Sequence, residues 1–325
     1  AIVGVSGSKA STSINTKNST YIGSNYDVKA VGVKLDSGVI KPGSGNLYLN
    51  AKTTNNYRSY NDSSAYGAVA AGTGIIQNTI NSTVNAINKA KSSYAVDDIL
   101  VSALNTTSKP DYGYDLDGGA GGIVGIGSAN LTTDIVHNTL AQFLGDSANT
   151  TRGDIAVSAQ NKVDVTEKVY VYAAGGVPAA AGYVTLNSNL NATTDIGNKD
   201  LKSGADALYT AQTNANIYSK SNVITRGVAP VAVGYSKSKN ITKNTVNILS
   251  GAKSQSKMDT YAQALSVNNV KSSMESDSQG LLWDLGNAIS NSILESTNTV
   301  NVKESSSLIA DDKMALYAQD TSSLQ

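Results

Sequence analysis

His137 is the only histidine in the 325 residues, so a Ser/His/Asp hydrolase or a histidine-bearing zinc site would have to be built on it. A lone imidazole can act as base or ligand, but the sequence supplies no evident partner. His137 stands 22 residues before Ala159, as Asn81 stands 22 before Ala103. With those alanines taken as repeat anchors, His137 reads as a surface substitution within a repeat.

The stretch Asp111-Tyr112-Gly113-Tyr114-Asp115-Leu116-Asp117-Gly118-Gly119 has the oxygen density of a calcium site. An EF-hand loop with Gly118 at its sixth position places Gly113 at the first and Val124 at the twelfth, and neither supplies a side-chain ligand. The calcium-binding nonapeptide also needs its motif repeated, and it is not. A turn or loop is the better reading, with weak calcium binding behind it. The pairs Asp97-Asp98 and Asp311-Asp312 suggest the paired carboxylates of a glycoside hydrolase, which must face each other across a cleft. Asp98 opens a strand where Asp154 recurs, so a structural turn is favoured. Gly118 to Gly127 lacks both the Lys-Ser/Thr of a phosphate-binding loop and the Gly-x-Gly-x-x-Gly order. Asn-x-Ser/Thr sequons begin at Asn18, Asn81, Asn105, Asn130, Asn149, Asn191 and Asn240, a weak signal in a chain so rich in these residues. No residue is assigned a catalytic, cofactor-binding or metal-binding role, and no cofactor is expected.

Composition narrows the classes further. Charged residues make up 15% of the chain, against an average near 25%, with Ser, Thr, Asn and Gly in their place. Lys plus Arg and Asp plus Glu are 25 each, which leaves no basic footprint for nucleic acid or anionic lipid. Cysteine is absent, which excludes disulfides, thiolate metal sites and cysteine nucleophiles. Aromatic residues are 17 Tyr, Phe143 and Trp283. They cannot fill a wide core, whereas Ala, Val, Ile and Leu can fill a narrow one. No stretch is apolar enough for a membrane-spanning helix, and the aromatic girdles of a membrane barrel are missing. The start, Ala1-Ile2-Val3-Gly4-Val5, has neither Met nor a signal-peptide pattern. The chain reads as a segment of something longer or as a processed form.

The elements that position these residues are set by a repeat. Its clearest copies are Asp154-Ile155-Ala156-Val157-Ser158-Ala159-Gln160-Asn161 and Asp98-Ile99-Leu100-Val101-Ser102-Ala103-Leu104-Asn105. Anchored on Ala51, Ala103, Ala159, Ala211, Ala262 and Ala318, the copies are 52, 56, 52, 51 and 56 residues apart. A near-constant period of this length marks a repeat architecture. A small-residue run with Gly follows each anchor, ending at Gly72, Gly125, Gly182, Gly234 and Gly286, and a Thr/Asn-rich piece with alternating apolar residues follows that. Alternation argues for half-buried strands. Asp134 to Leu144 and Gly280 to Leu294 also carry helical spacing, but they align with strand-like pieces and are read as strands. Ser37 to Gly45 reads as a loop excursion that lengthens the first repeat.

Stacked repeats bury a continuous core that one repeat alone cannot. The expected fold is therefore all-β, a parallel β-helix (β-solenoid) with two coils in each repeat of about 54 residues. Residues 1–325 form one continuous segment, with repeats at 1–66, 67–120, 121–174, 175–226, 227–279 and 280–325. Low charge suits such a stack, because in-register like charges repel.

The Ile-x-Val-Ser-Ala-Gln-Asn strand, the Gly121 to Gly127 stretch and the Asn-x-Thr-rich links resemble the repeats of large secreted bacterial adhesins. These are the filamentous-haemagglutinin-like and leukotoxin-type passengers of type V secretion. The resemblance spans the chain. It implies a right-handed β-helix, a location outside the cell or on its surface, and attachment to a host-cell, matrix or bacterial receptor, protein or glycan. The leading expectation is a non-enzymatic adhesin stalk, with no nucleic-acid partner and no membrane insertion of this segment. The alternatives are a self-assembling extracellular filament, through end-to-end pairing of exposed strand edges, and a carbohydrate-active β-helix enzyme.

Overall fold

The computed structural model describes residues 2–35, 41 and 43–325; much of the expected Ser37–Gly45 excursion lies outside the described residues. The chain travels in circuits. The first holds β1 (Val3–Ile22), β2 (Asp27–Ala30), β3 (Leu47–Asn56) and β4 (Asn61–Tyr66). The second holds β5 (Val69–Asn88), β6 (Ser92–Ala95), β7 (Ile99–Lys109) and the start of β8 (Leu116–Phe143), which runs on into the third. The third continues with β9 (Ala148–Thr151) and the start of β10 (Ile155–Ile196), which reaches into the fourth. The fourth adds β11 (Asp200–Ser203) and β12 (Ala207–Gly227), and the fifth β13 (Val231–Ile248), β14 (Lys253–Ser256) and β15 (Thr260–Gly280). The sixth holds β16 (Leu285–Val302), β17 (Ser307–Ala310) and β18 (Met314–Leu324). The described residues contain no helix. Of the two ambiguous pieces, Asp134 to Phe143 lies in β8 and Leu285 to Leu294 in β16, so the strand reading holds there.

All pairing is parallel and in register. One face is the ladder β1–β5–β8–β10–β13–β16. A second is β3–β7–β10–β12–β15–β18. The short strands β2, β6, β9, β11, β14 and β17 make a separate six-stranded sheet at the corner between them. Ladder partners lie one whole repeat apart: Val3 faces Val69, Ile155 faces Ala207, and Val231 faces Leu285. One circuit therefore consumes one repeat, and the expected two coils per repeat are corrected to one. The reason is strand length. β1 and β5 each run 20 residues without a turn, so no second coil fits into the repeat.

The register also corrects the anchors. Ala211 faces Ala264, and Ala264 faces Ala318, so the fifth copy is anchored at Ala264 rather than Ala262. A two-residue slip keeps a side chain on its face, and Ala262 points inward as well. Of the glycines chosen as second anchors, Gly182 and Gly234 face each other, but the column does not continue, for Gly72 faces Gly127, Gly182 faces Ala129 and Gly234 faces Ala288. The true column is Gly67, Gly122, Gly175, Gly227 and Gly280, at the corner where each circuit enters the next. A Cβ on Gly122 would lie 1.9 Å from the Gly67 carbonyl oxygen, and one on Gly175 1.6 Å from that of Gly122. Backbone stacks on backbone here, and only glycine fits.

The interior is thin. Buried residues alternate strictly along β7 and most of β5, and the inward columns are mainly Ala, Val, Ile and Leu. The two faces approach closely enough for side chains of one to bond the backbone of the other. Asn105 Nδ2 donates to Ser82 O at 3.1 Å, Thr194 Oγ1 to Thr210 O at 2.7 Å and Ser236 Oγ to Ser219 O at 2.9 Å. Such bonds let buried Ser, Thr and Asn share the core with aliphatic residues without the cost of an unpaired polar group.

Candidate functional site

The loop between β7 and β8 organises the densest polar chemistry in the molecule. From Lys109 to Leu116 is seven residues, whereas their ladder partners Val165 and Val169 are four apart. The three extra residues bulge outward. Beneath the bulge, Lys109 Nζ lies 2.6 Å from Asp115 Oδ1 and 3.1 Å from Glu167 Oε2. It also donates to Thr166 O at 2.6 Å. Tyr57 OH and Thr133 Oγ1 donate to Glu167 Oε1 at 2.8 and 2.6 Å, and Lys168 N donates to Asp115 Oδ2 at 2.8 Å. Lys109 and Glu167 have side chains only 1% and 0% exposed.

This cluster holds one cation against two carboxylates. Burial, then repulsion from Glu167, pushes Asp115 up to about 6. Burial, reinforced by Glu167, raises Tyr57 well above the usual phenol range. No substrate reaches atoms so enclosed. The arrangement locks three successive circuits together: Tyr57 comes from the first, Lys109 and Asp115 from the second, Thr133 and Glu167 from the third.

His137 belongs to the same interior. Its ladder partners are Ser82 and Leu190 rather than Asn81, and it is fully buried. The expected surface position is thus corrected by one residue, which reverses the face. The cause is the corner: from Asn88 to Ser93 is five residues, from their partners Phe143 to Asn149 six. Counting from the alanines carries that extra residue into the alignment. Nε2 of His137 shares a hydrogen bond with Thr107 Oγ1 at 2.7 Å. Burial drives its pKa down to about 4, against a smaller opposing effect of Asn161. The neutral ring is a packed core residue.

The acidic pairs separate on inspection. Asp98 opens a column with Asp154, Asp206 and Asp259, in which each carboxylate accepts the backbone N–H of its counterpart one circuit on. Asp154 N donates to Asp98, Asp206 N to Asp154 and Asp259 N to Asp206, each at 2.9 Å. Asn46 accepts from Asp98 N at 2.9 Å and Lys313 N donates to Asp259 at 3.1 Å. These are backbone-satisfying ladders. Asp311 and Asp312 lie in the turn after β17 and donate their N–H groups to Ser256 O and Met258 O. Gly118 to Gly127 lies within β8 and includes the stacking corner. Among the sequons, Asn105, Asn149 and Asn240 are fully buried and closed to a glycan. Among the described residues no group of three or more His, Cys, Asp or Glu could hold a metal ion.

Above the bulge the surface is aromatic. Tyr114 packs on Tyr170 with ring centroids 5.1 Å apart, and Arg58 sits 4.6 Å over the Tyr112 ring. Lys168 Nζ and Asp111 Oδ2 pair at 2.5 Å, and that bond holds the Asp111 carboxyl below its usual range. Sequence reasoning missed both this patch and the cluster beneath it. The signal it could have used is the Lys-Pro-Asp-Tyr-Gly-Tyr-Asp insertion (109–115), which no other repeat carries.

Comparison with protein-family models, curated proteins and solved structures finds no match to this chain.

Proposed function

We propose that this chain is a stalk segment of a secreted or surface-attached bacterial adhesin, wound as a right-handed parallel β-solenoid and without catalytic activity. The observation that carries the reading is the unbroken in-register ladder through all six circuits. Parallel circuits that each repeat the last grow in one dimension, which suits a spacer that holds a binding surface away from a cell. The interior charges are sealed. The outer hollow lined by Lys52, Thr54, Thr106, Gln160, Lys162 and Gln212 offers amides, hydroxyls and ammonium groups but no carboxylate or imidazole. The partner is a receptor on a host cell, in matrix or on another bacterium, and the location is extracellular.

Electron microscopy of the purified chain, with particle length followed against concentration, tests the reading. Particles of one fixed size, in a chain that binds to cells or matrix when fused to a surface anchor, support it. Fibres that lengthen with concentration favour the self-assembling filament instead. Hydrolysis or elimination products from a polysaccharide panel favour the enzyme.

A further inference from the structure

The outer surface above the bulge is constructed differently from the rest of the molecule. One outward column crosses five circuits as Asp62, Asp117, Tyr170, Asn222 and Glu275. Tyr114, carried by the bulge of the second circuit, lies on Tyr170 of the third. Its hydroxyl accepts from Asn222 Nδ2 of the fourth at 3.1 Å. One loop residue therefore spans three circuits. Tyr172, two positions along the same strand as Tyr170, is 38% exposed and Tyr112 is 61% exposed, so aromatic faces remain open around the packed pair. Asn222 is only 8% exposed, yet its Oδ1 has no hydrogen-bond partner. That Oδ1 is enclosed, and the part Asn222 plays at the surface is to hold the Tyr114 hydroxyl through Nδ2. Burial, then Asp62, raises the Asp117 carboxyl above its usual range, and burial with Tyr114 raises Tyr170, consistent with a partly dried surface.

We infer that Tyr114, Tyr170, Tyr172 and Asp117, with Asn222 holding the Tyr114 hydroxyl in place, form a binding site for a neutral or amino-sugar oligosaccharide that lies along the stacking direction. Sugar rings present an apolar C–H face to an aromatic ring and hydroxyls to the phenol and carboxylate groups at its edge, the combination this surface offers. Tyrosine supplies large, rigid contact area at low entropy cost. Circuits rise about 4.8 Å, so successive outward groups of the column meet an extended glycan at regular intervals. Asp62 and Asp117, adjacent in the column and in none of the ion pairs among the described residues, repel sulfated or uronic polymers, which sets the class as uncharged or cationic; Glu275 is held by Lys220 at 3.4 Å. The inference deepens the attachment reading and rests on it for its biological purpose, giving this segment a receptor contact of its own.

The test is titration of the full 325-residue chain with tetramers of glucose, N-acetylglucosamine and glucosamine, with heparin as the anionic probe. Saturable binding of at least one of the three tetramers is expected, together with none of heparin at this site. Tyr170→Ala and Tyr114→Ala should each weaken it at least tenfold, while Tyr21→Ala, at a distant corner, leaves it unchanged. Tyr114 makes no ladder pair, so its variants read out binding even if Tyr170→Ala does not fold. Tyr114→Phe keeps the ring and should lose only a few-fold. Failure of all three tetramers to bind, equal binding by all variants, or preference for heparin overturns the site. A chain that attaches to cells or matrix but binds none of the sugars removes this site and leaves the attachment reading standing; saturable sugar binding by a chain that attaches to neither keeps the site and removes that reading.

Discussion

Lys109, Asp115 and Glu167 show how a single buried charge balance shapes the response of the protein to pH. Asp115 has its folded pKa raised to about 6 from 3.8. Its contribution to stability is therefore fully present below about 4 and is lost as pH rises through 6. His137 is lowered to about 4 from 6.5, so its contribution is present above 6.5 and is lost as pH falls through 4. The two oppose each other across one window, and the intact protein should show a flat stability profile between pH 4 and 6.5. Asp115→Asn leaves a neutral Lys109–Glu167 pair and exposes the histidine effect, so its urea midpoint should fall on acidification. His137→Leu, which copies Leu190 of the same column, should instead gain stability on acidification, by about 2–3 kcal/mol. Parallel profiles for the two variants would show that these groups do not govern the response. Lys109→Met removes the ammonium that pairs with both buried carboxylates and should cost about 3–5 kcal/mol, measured by urea unfolding at pH 7.

Two stacked features decide whether neighbouring strands can meet at the observed distance. At the entry corner, Gly122→Ala would place a methyl 1.9 Å from the Gly67 carbonyl and should destabilise by about 1–3 kcal/mol. Gly121→Ala is the control. Its added carbon meets only the Tyr66 ring at 3.0 Å, a side chain that is 75% exposed and free to turn, so its melting temperature should stay close to that of the parent. Equal losses at the two glycines would mean that the corner is looser than its packing indicates. In the carboxylate ladder, Asp154→Ala leaves the Asp206 N–H without its acceptor and should cost about 0.5–1.5 kcal/mol. Asp154→Asn retains an acceptor oxygen and lightens the column's charge, so thermal melting should place it near the parent.

At the scale of the molecule, each circuit adds one layer to two long faces and a short corner sheet. Ala179 faces Val231, so excision of residues 179–230 joins the third circuit to the fifth with every inward column preserved. The shortened chain should fold, melt cooperatively and be about 4.8 Å shorter along its stacking direction. Excision of half that length brings the wrong face of the repeat against its neighbour and should give an unfolded or aggregating protein by circular dichroism and light scattering. A folded half-repeat deletion would restore the two-coil arrangement.

Local residue pattern determined the all-β class, the repeat and the strand identity of the two ambiguous pieces, because side-chain alternation with period two is written directly in the chain and recurs six times. It also made the narrow, small-residue core legible. Circuit length was decided by tertiary structure, since a period of about 54 residues is equally compatible with one long turn or two short ones until hydrogen-bonded partners are known. The face of His137 was likewise decided there. One additional residue in the corner between Phe143 and Asn149 shifts the count, and a single-residue shift turns a side chain from water to core. The glycine column was hidden because glycine is frequent everywhere in this chain, with 29 in all, and only contact with the circuit below distinguishes those that are obligatory. Tyr57, Lys109 and Glu167, and likewise Tyr114, Tyr170 and Asn222, lie in different repeats far apart in sequence. Stacking brings them together, and no local pattern records it.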